Sequence, residues 1–470
     1  MSELPVVVVG AGPVGLAAAA QLLERGLRPL VLEAGPRAGA AVAQWNHVRL
    51  FSRWSELVDP AARRLLEPSG WTAPSHEDYP TGAEWVSRYL APLAEALGDH
   101  VRVNARVVGV ARQGRDRVVD AGRDSEPLTV HVETAAGEER ITARAVVDAS
   151  GTWGSPNPLG GDGLPAIGER AAADRIAYRV PDVVAEAERY AGKRIAVAGS
   201  GHSALTALVA LAGLAERHPG THVTWLLRRG VVGNVFGGGE ADQLPARGAL
   251  GLRAREAARA GHVQVVTGFR TAAVERAGDR LVLVSQDGHR LPPVDEVVVL
   301  TGFRPDHSWL SEVRLDLDPV LEAPVMLAPL IDPNAHSCGS VEPHGANVLR
   351  QPEPGVYLAG MKSYGRAPTF LALTGYEQVR SVAAEIAGDH AAAAEVQLEL
   401  PKTGVCGGSG VFDVEQPASS GGCCGPASVE QESSASCRPA QVVEQPVASG
   451  GCCGGLAVAD LTLTAPGVRD

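Results

Sequence analysis

The chain has 470 residues, a formal net charge of −12 at pH 7 and a sequence pI of about 5.6. This length allows two or three domains with sizeable cores, and the acidity argues against nucleic acid or an anionic membrane as the main partner. No apolar run approaches the roughly 18–20 residues that a membrane span needs, and the first residues do not form a signal peptide.

The first segment reads as a strand, a glycine turn, a helix and a second strand. Val6–Val9 form a continuous apolar run, which is typical of a strand buried on both faces. Gly10, Gly12 and Gly15 then form a G-x-G-x-x-G turn, which allows a tight bend, close approach to a pyrophosphate and packing of the helix on the strand. Glu33 ends the second strand, where a carboxylate can bind a ribose diol. This segment predicts a dinucleotide site.

A second segment repeats the pattern. The predicted strand Arg194–Ala198 leads into a turn that contains Gly199, Gly201 and Ala204. The same physical argument applies, so this turn predicts a second dinucleotide site.

The strand that follows the second turn ends differently from its counterpart. It runs over about residues 222–227 and ends in Arg228 and Arg229, with no acidic residue there. The planar fork of an arginine can bind a phosphate through two hydrogen bonds, which favours NADPH over NADH. The alternative is that both arginines are ordinary surface charges.

Three further segments complete the predicted fold. The segments 143–160 and 294–306 are strands that lead into Gly151 and Gly302, and they carry the chain between the two nucleotide domains. The segment 355–388 is a strand, a loop and an amphipathic helix whose start, near Thr374, can point its positive dipole end at a flavin ring.

The predicted fold class is α/β, with two Rossmann-like dinucleotide-binding domains. We expect one dinucleotide-binding domain over 1–165 and 300–395, a second inserted over 166–299, and a disordered, cysteine-rich tail over 400–470.

This layout resembles the flavin-containing monooxygenase and thioredoxin-reductase-like superfamily over roughly residues 1–390. More narrowly, WNHVRLFSRWSELVDPAARRLL, GGGEADQLPARGALG, IDPNAHSCGSVEPHG and GMKSYGRAPTFLALTGYEQVRSVAAE resemble flavoproteins encoded beside arsenic-resistance genes, the ArsO-like flavin-binding monooxygenases. The resemblance implies FAD and NADPH as cofactors, with an FAD-binding domain over 1–165 and 300–395 and an NADPH-binding domain over 166–299. The residues assigned to FAD are Gly10, Gly12, Pro13, Gly15, Glu33, Ala34, Trp54, Val107, Gly151, Gly360, Met361 and Thr374. Those assigned to NADPH are Gly199, Gly201, His202, Ser203, Ala204, Arg228 and Arg229.

The chain departs from these relatives in three ways. The body has no C-x-x-C or C-x4-C pair of the kind that disulfide reductases carry beside the flavin. Gly360 is followed by Met361, where many relatives have an acidic residue. A clean F-x-G-x3-H motif is also missing, which argues against ketone oxygenation.

The stretch Trp45–Trp54 resembles the superfamily segment that passes the flavin ring. Its aromatic and cationic side chains, including Arg49 and Arg53, suit either stacking on a flavin or binding of an anionic substrate. A plain core-and-surface role is the alternative.

Cys338 is the catalytic candidate in the body of the chain. It lies in a loop rich in Pro, Gly and His, close in sequence to His336 and His344. A nearby imidazolium lowers a thiol pKa and so raises the thiolate fraction. The alternative is an inert buried cysteine.

The last part of the chain is rich in Gly, Ser, Pro, Glu and Gln, a composition that cannot offset the entropy of ordering. It contains two near-identical segments, 414–425 and 443–454. Adjacent cysteines are poor disulfide partners, but they offer two thiolates to one soft ion such as As(III). The alternative is a neutral extension. If the tail binds a soft ion, the predicted ligands of that ion are Cys406, Cys423, Cys424, Cys437, Cys452 and Cys453.

The preferred function is an NADPH- and FAD-dependent monooxygenase that acts on a soft small molecule, a trivalent arsenical being the substrate that the resemblance implies. A reductase that uses the tail cysteines and a non-enzymatic metalloid or redox sensor are the alternatives. The concentration of cysteines in the tail indicates a reduced, cytoplasmic protein rather than a secreted disulfide framework. A homodimer is one oligomeric state that the sequence allows.

Overall fold

The computed structural model describes residues 4–232, 235–242, 244–334, 343–368 and 370–398. Cys338 and the six predicted metal ligands of the tail lie outside these residues. All described residues belong to one compact unit, Met1–Pro417.

Fifteen strands occur in the described residues. In chain order they are β1 (Val6–Val9), β2 (Pro29–Leu32), β3 (Val101–Arg102), β4 (Arg106–Arg112), β5 (Leu128–Thr134), β6 (Gly137–Ala143), β7 (Ala145–Asp148), β8 (Ile176–Ala177), β9 (Arg194–Ala198), β10 (His222–Leu226), β11 (Val263–Val266), β12 (Thr271–Ala277), β13 (Arg280–Ser285), β14 (Glu296–Val299) and β15 (Val356–Leu358).

Thirteen α-helices occur in the same residues. They are α1 (Pro13–Glu24), α2 (Ala40–Ala43), α3 (Trp54–Leu57), α4 (Pro60–Leu66), α5 (Gly82–Trp85), α6 (Ala91–Leu97), α7 (Ala187–Tyr190), α8 (His202–Arg217), α9 (Pro245–Arg259), α10 (Ala328–Ile331), α11 (Ala346–Leu349), α12 (Ala372–Ala387) and α13 (His390–Ala394). Short 3-10 helices and one π-helical turn, Val86–Leu90, complete the structure.

The first sheet has the strand order β15-β7-β1-β2-β3, and every pair in it is parallel. Its central strand β1 is buried along its whole length, as the continuous valine run predicts. Helices α1 and α12 pack against each other and against this sheet, and their apolar side chains form one large core with β1 and β7.

The second sheet has the order β11-β10-β9-β14-β8 and is also entirely parallel. Its strands all lie in sequence between β7 and β15 of the first sheet, so the second sheet is built from an insertion. Helix α8 covers one face, where Leu208, Leu211 and Trp225 are among the buried residues. Two smaller antiparallel sheets, β4-β5-β6 and β12-β13, accompany the two parallel sheets.

The two connections between the sheets lie side by side. The Asn157 side chain donates to the Thr301 carbonyl oxygen at 2.9 Å, and Arg304 Nε donates to Asn157 Oδ1 at 2.6 Å. A β-bridge between Pro156 and Phe303 lies beside these bonds. These contacts hold together the two segments through which the chain enters and leaves the inserted domain.

The predicted α/β fold class with parallel sheets is therefore confirmed. Among the residues that the structure describes, none of the helices combines the length and the apolar character needed to cross a membrane.

Candidate functional site

The first glycine turn joins β1 to α1, and each glycine has its own steric reason. Gly10 has a φ of +99°, and a Cβ there would lie 2.8 Å from the Ala149 carbonyl oxygen. A Cβ at Gly15 would lie only 1.9 Å from the Gly10 oxygen. At Gly12, by contrast, nothing lies within 4 Å of the Cβ position. The first and third glycines are thus needed for packing, and the second leaves open space in front of the backbone.

That open space faces the start of a helix. Gly12 is the N-cap of α1, no side chain caps this helix, and Pro13 occupies its first turn. The N–H groups at the start of a helix have no partner within the helix, and together with the macrodipole they favour an anion. The turn therefore fits the pyrophosphate of a dinucleotide.

Glu33 follows β2 and lies beside this turn. Its carboxylate accepts hydrogen bonds from the backbone N–H of Ala11 and from that of Gly35, each at 2.7 Å. A carboxylate has about four lone-pair sites, so these two bonds fix its orientation and leave capacity for ribose hydroxyls.

The second glycine turn, between β9 and α8, repeats the same geometry. Gly199 has a φ of +133°, and its Cβ would lie 2.2 Å from the Leu300 oxygen. Gly201 is the N-cap of α8 without a side-chain cap, and nothing lies within 4 Å of its Cβ position. Ala204, fully buried, replaces the third glycine. This turn also fits a pyrophosphate.

Strand register shows why the second turn differs from the first in its ribose contact. Leu32 pairs with Val9, the residue before the first turn, and Leu226 pairs with Ala198, the residue before the second turn. The position equivalent to Glu33 is therefore Leu227, a buried apolar residue that cannot bind a ribose diol. The exposed Arg228 and the half-buried Arg229 follow it directly.

One cavity of about 690 Å³ extends from the first glycine turn to the start of α8. Gly10, Gly12 and Glu33 line it at one end, and His202 and Ser203, at the start of α8, line it from the inserted sheet. Of the residues assigned to FAD and NADPH, it brings together Gly10, Gly12, Pro13, Glu33, Gly151, Gly360, Met361, His202 and Ser203.

The other assigned residues do not line this cavity. Trp54 is buried in α3 beneath the Arg88 guanidinium, 5.6 Å from the ring centroid, and Val107 is a core residue of β4. Thr374 is buried inside α12, and Ala34 is exposed after Glu33. The remaining ones, which belong to the two glycine turns or follow β10, are Gly15, Gly199, Gly201, Ala204, Arg228 and Arg229.

The stretch after the first unit contributes aromatic and cationic groups to the cavity. Trp45 and Arg49 line it, but the guanidinium of Arg53 is held by Glu77 and by the Tyr79 hydroxyl, 3.1 Å from Nε. Arg49 also lies 3.8 Å from a Glu84 oxygen. Both arginines thus have an acidic partner, and of the two only Arg49 lines the cavity.

Aromatic residues from distant parts of the chain meet at the cavity, and the sequence carries no signal for the contacts between them. Phe51 packs against the His202 ring with 5.4 Å between the centroids, and this contact joins the first segment to the inserted domain. Trp153 and Phe303, one from each connection between the sheets, lie 5.0 Å apart. Aromatic rings from three parts of the chain therefore contribute to the cavity wall.

His202 is uncharged at neutral pH. Burial, and secondarily the charge of Arg247, lowers the pKa of His202 to about 4. The second glycine turn thus presents a neutral imidazole to the cavity rather than a cation.

A buried hydrogen-bond network holds the segment after β15, which contains Gly360 and Met361. Gln378 Oε1 accepts from the Gly360 N–H at 2.8 Å, and Gln378 Nε2 donates to Ser363 Oγ at 3.0 Å. His344 Nε2 lies 2.9 Å from the same Gln378 nitrogen. This segment is thereby fixed against α12 without an acidic residue at position 361.

Two glycine turns, each fitted to a pyrophosphate, are typical of a protein that binds two dinucleotides. Residues 7–326 match the model of the pyridine nucleotide-disulphide oxidoreductase family, and the chain belongs to this family. The predicted enzyme class, an FAD-dependent oxidoreductase, is confirmed, and FAD and NADPH are the cofactors of its homologues.

Similar proteins include both reductases and monooxygenases. The chain is 26% identical over 317 residues to a ferredoxin–NADP reductase from Ignicoccus hospitalis, a match that covers 66% of this chain and 81% of that protein. It is 30% identical over 199 residues to an indole-3-pyruvate monooxygenase of Oryza sativa, over 42% of this chain and 43% of that protein.

Solved structures share the fold. A flavin-containing monooxygenase from Stenotrophomonas maltophilia superposes with a TM-score of 0.51 at 25% identity, over 83% of this chain and 99% of its own. A bacillithiol disulfide reductase from Bacillus cereus superposes with a TM-score of 0.60 at 20% identity, over 82% and 99%, and this likeness concerns the fold.

Proposed function

We propose that the protein is an NADPH- and FAD-dependent monooxygenase that transfers one oxygen atom to a soft nucleophile, with a trivalent arsenical as its substrate. The observation that carries the proposal is the apolar cavity between the first glycine turn and the start of α8, whose described lining contains no cysteine. In addition, residues 1–400 contain a single cysteine, so the body offers no dithiol to receive electrons. The arsenical rests on the sequence resemblance given above.

The residues would divide the work as follows. The open backbone at Gly12 would hold the FAD pyrophosphate and Glu33 its ribose, while Gly201 and Arg228 would hold the phosphates of NADPH. Bound FAD supplies hydride acceptance and the activation of oxygen. The chain itself would orient the two nucleotides and, through rings such as Phe51 and Phe303, exclude water from the cavity.

The proposed reaction balances without a further reductant. It consumes the substrate, O₂, NADPH and one proton, and it yields the oxygenated substrate, NADP⁺ and water. Two of the four electrons that O₂ receives come from NADPH and two from the substrate, so an As(III) compound becomes As(V).

A reductase is the second candidate, because ferredoxin–NADP reductases are similar over two thirds of this chain. In that case electrons would leave the protein for an acceptor protein or for the tail cysteines, and no oxygen would enter the product.

Turnover under ¹⁸O₂ separates the two candidates. We expect NADPH oxidation to be accelerated by arsenite or methylarsenite, with one ¹⁸O atom in each product molecule and no turnover without oxygen. The same assay on protein truncated after Leu400 should retain FAD and NADPH oxidation but show a higher KM for the arsenical. Anaerobic turnover that needs the tail cysteines would contradict the oxygenase and favour the reductase.

A further inference from the structure

We propose that Lys362 is a positioning residue that ties together two segments of the cavity wall; the inference rests on the FAD site of the proposed function. The Lys362 ammonium is buried, with 1% of its side chain exposed. Its Nζ lies 2.7 Å from Asp148 Oδ2 and donates to Ser150 Oγ at 3.1 Å. Lysine is almost never fully buried unless it is paired, so this pair needs an explanation.

The pair lies at the carboxyl end of the first sheet, where ligands bind in open parallel sheets. Asp148 is the last residue of β7, and its Oδ1 accepts from both the N–H and the Oγ of Ser150, at 3.0 and 2.6 Å. Ser150 and Gly151 line the cavity. The Asp148 carboxylate therefore fixes the first of the two wall segments.

Lys362 brings in the second wall segment. It belongs to the 3-10 helix Gly360–Tyr364 after β15, and Gly360 and Met361 of this helix also line the cavity. The same ammonium lies 4.6 Å from the centroid of the Trp309 ring, in the chain that returns from the inserted domain. One buried charge thus joins three segments that are far apart in the sequence.

Two effects of this ion pair can be separated. Removing Lys362 alone leaves the fully buried Asp148 carboxylate without its countercharge, which is strongly destabilising, whereas replacing both charges by neutral groups is often close to neutral. An asparagine at position 148 keeps the acceptor for Ser150. The double replacement therefore leaves no unpaired charge buried, and it removes the contact of residue 362 with Asp148 and Ser150.

The experiment compares the variant Asp148→Asn with the double variant Asp148→Asn/Lys362→Met. Unfolding temperature and the Kd for FAD, measured by flavin fluorescence on protein from which FAD was removed and re-added, are the readouts. We expect the double variant to melt well above both single variants, because Lys362→Met leaves a buried carboxylate and Asp148→Asn leaves a buried ammonium without its countercharge. We also expect it to bind FAD at least tenfold more weakly than Asp148→Asn, in which the lysine still joins the segments.

A matched control comes from the inserted domain. Asp242 and Arg247 form a pair of the same length, 2.7 Å, with side chains 1% and 2% exposed. The variant Asp242→Asn/Arg247→Met should leave the FAD Kd within about twofold of wild type.

Three outcomes overturn the inference. In the first, the double variant binds FAD as tightly as Asp148→Asn. In the second, the double variant does not fold, which would give Lys362 a role in the whole fold. In the third, the control variant weakens FAD binding equally. Wild-type protein that binds no FAD would instead refute the proposed function.

Discussion

Replacing Gly12 by valine tests the FAD site directly, because the fold should tolerate a side chain there and the cofactor should not. Gly12 has φ −79° and ψ −176°, an extended conformation that any residue adopts, and its Cβ position is open. We therefore expect the free energy of unfolding to change by no more than about 1 kcal/mol.

The effect on FAD affinity should be much larger. The valine would occupy the space in front of the first turn of α1, where the pyrophosphate would meet backbone N–H groups. Hydrogen bonds to a charged group contribute about 1.5–3 kcal/mol each. Losing two of them weakens binding by at least roughly 100-fold, which a fluorescence titration of FAD-free protein would measure.

The variant Gly15→Ala is the matched control for this experiment. Gly15 lies inside α1, where alanine would ordinarily stabilise a helix, but its Cβ would lie 1.9 Å from the Gly10 oxygen. We expect a loss of about 1–3 kcal/mol in stability from this overpacking. Gly12→Val protein that is folded and retains stoichiometric FAD would refute the assignment of the first glycine turn.

Two further predictions concern the second nucleotide and the pH dependence of stability. Removing Arg228 and Arg229 together should weaken NADPH binding roughly tenfold or more while leaving NADH binding nearly unchanged; equal losses for the two nucleotides would show that these side chains do not contact the 2′-phosphate. Burial raises the pKa of Asp59 from 3.8 to about 6. Because the native state holds this proton more tightly than the unfolded chain does, the free energy of unfolding should fall by up to roughly 3 kcal/mol as the pH rises through this range. The change Asp59→Asn, which keeps an N-cap for α4, should remove that fall. Urea unfolding at several pH values measures it, and an unfolding free energy that depends on pH equally in both proteins would contradict the prediction.

Local sequence was sufficient for much of the fold and for both glycine turns. The predicted strands Val6–Val9 and Arg194–Ala198 coincide with β1 and β9, because a continuous apolar run has few alternatives to a strand buried on both faces. The different roles of Gly10, Gly12 and Gly15 also follow from a local motif, since they depend on neighbours within one strand–turn–helix unit.

Site residues whose contacts depend on packing between distant parts of the chain were harder to assign from the sequence. Trp54 and Val107 were assigned to FAD by their place in the superfamily layout; the structure buries both side chains in hydrophobic cores, and neither lines the cavity. An apolar side chain has the same sequence signal whether it contacts a ligand or a core, so sequence alone does not distinguish the two. The arrangement of three-dimensional neighbours decides between them.

The sequence by itself determined that two nucleotide-binding turns exist, because each turn is encoded in one short segment. Only the tertiary structure decided that one cavity is lined by the first turn and by the start of α8. It also decided that Leu227 occupies the place of Glu33, since this equivalence comes from strand register. It also decided that Lys362 is paired with Asp148. Partners on separate strands come together through the folding of both sheets, and no local pattern in the chain records that contact.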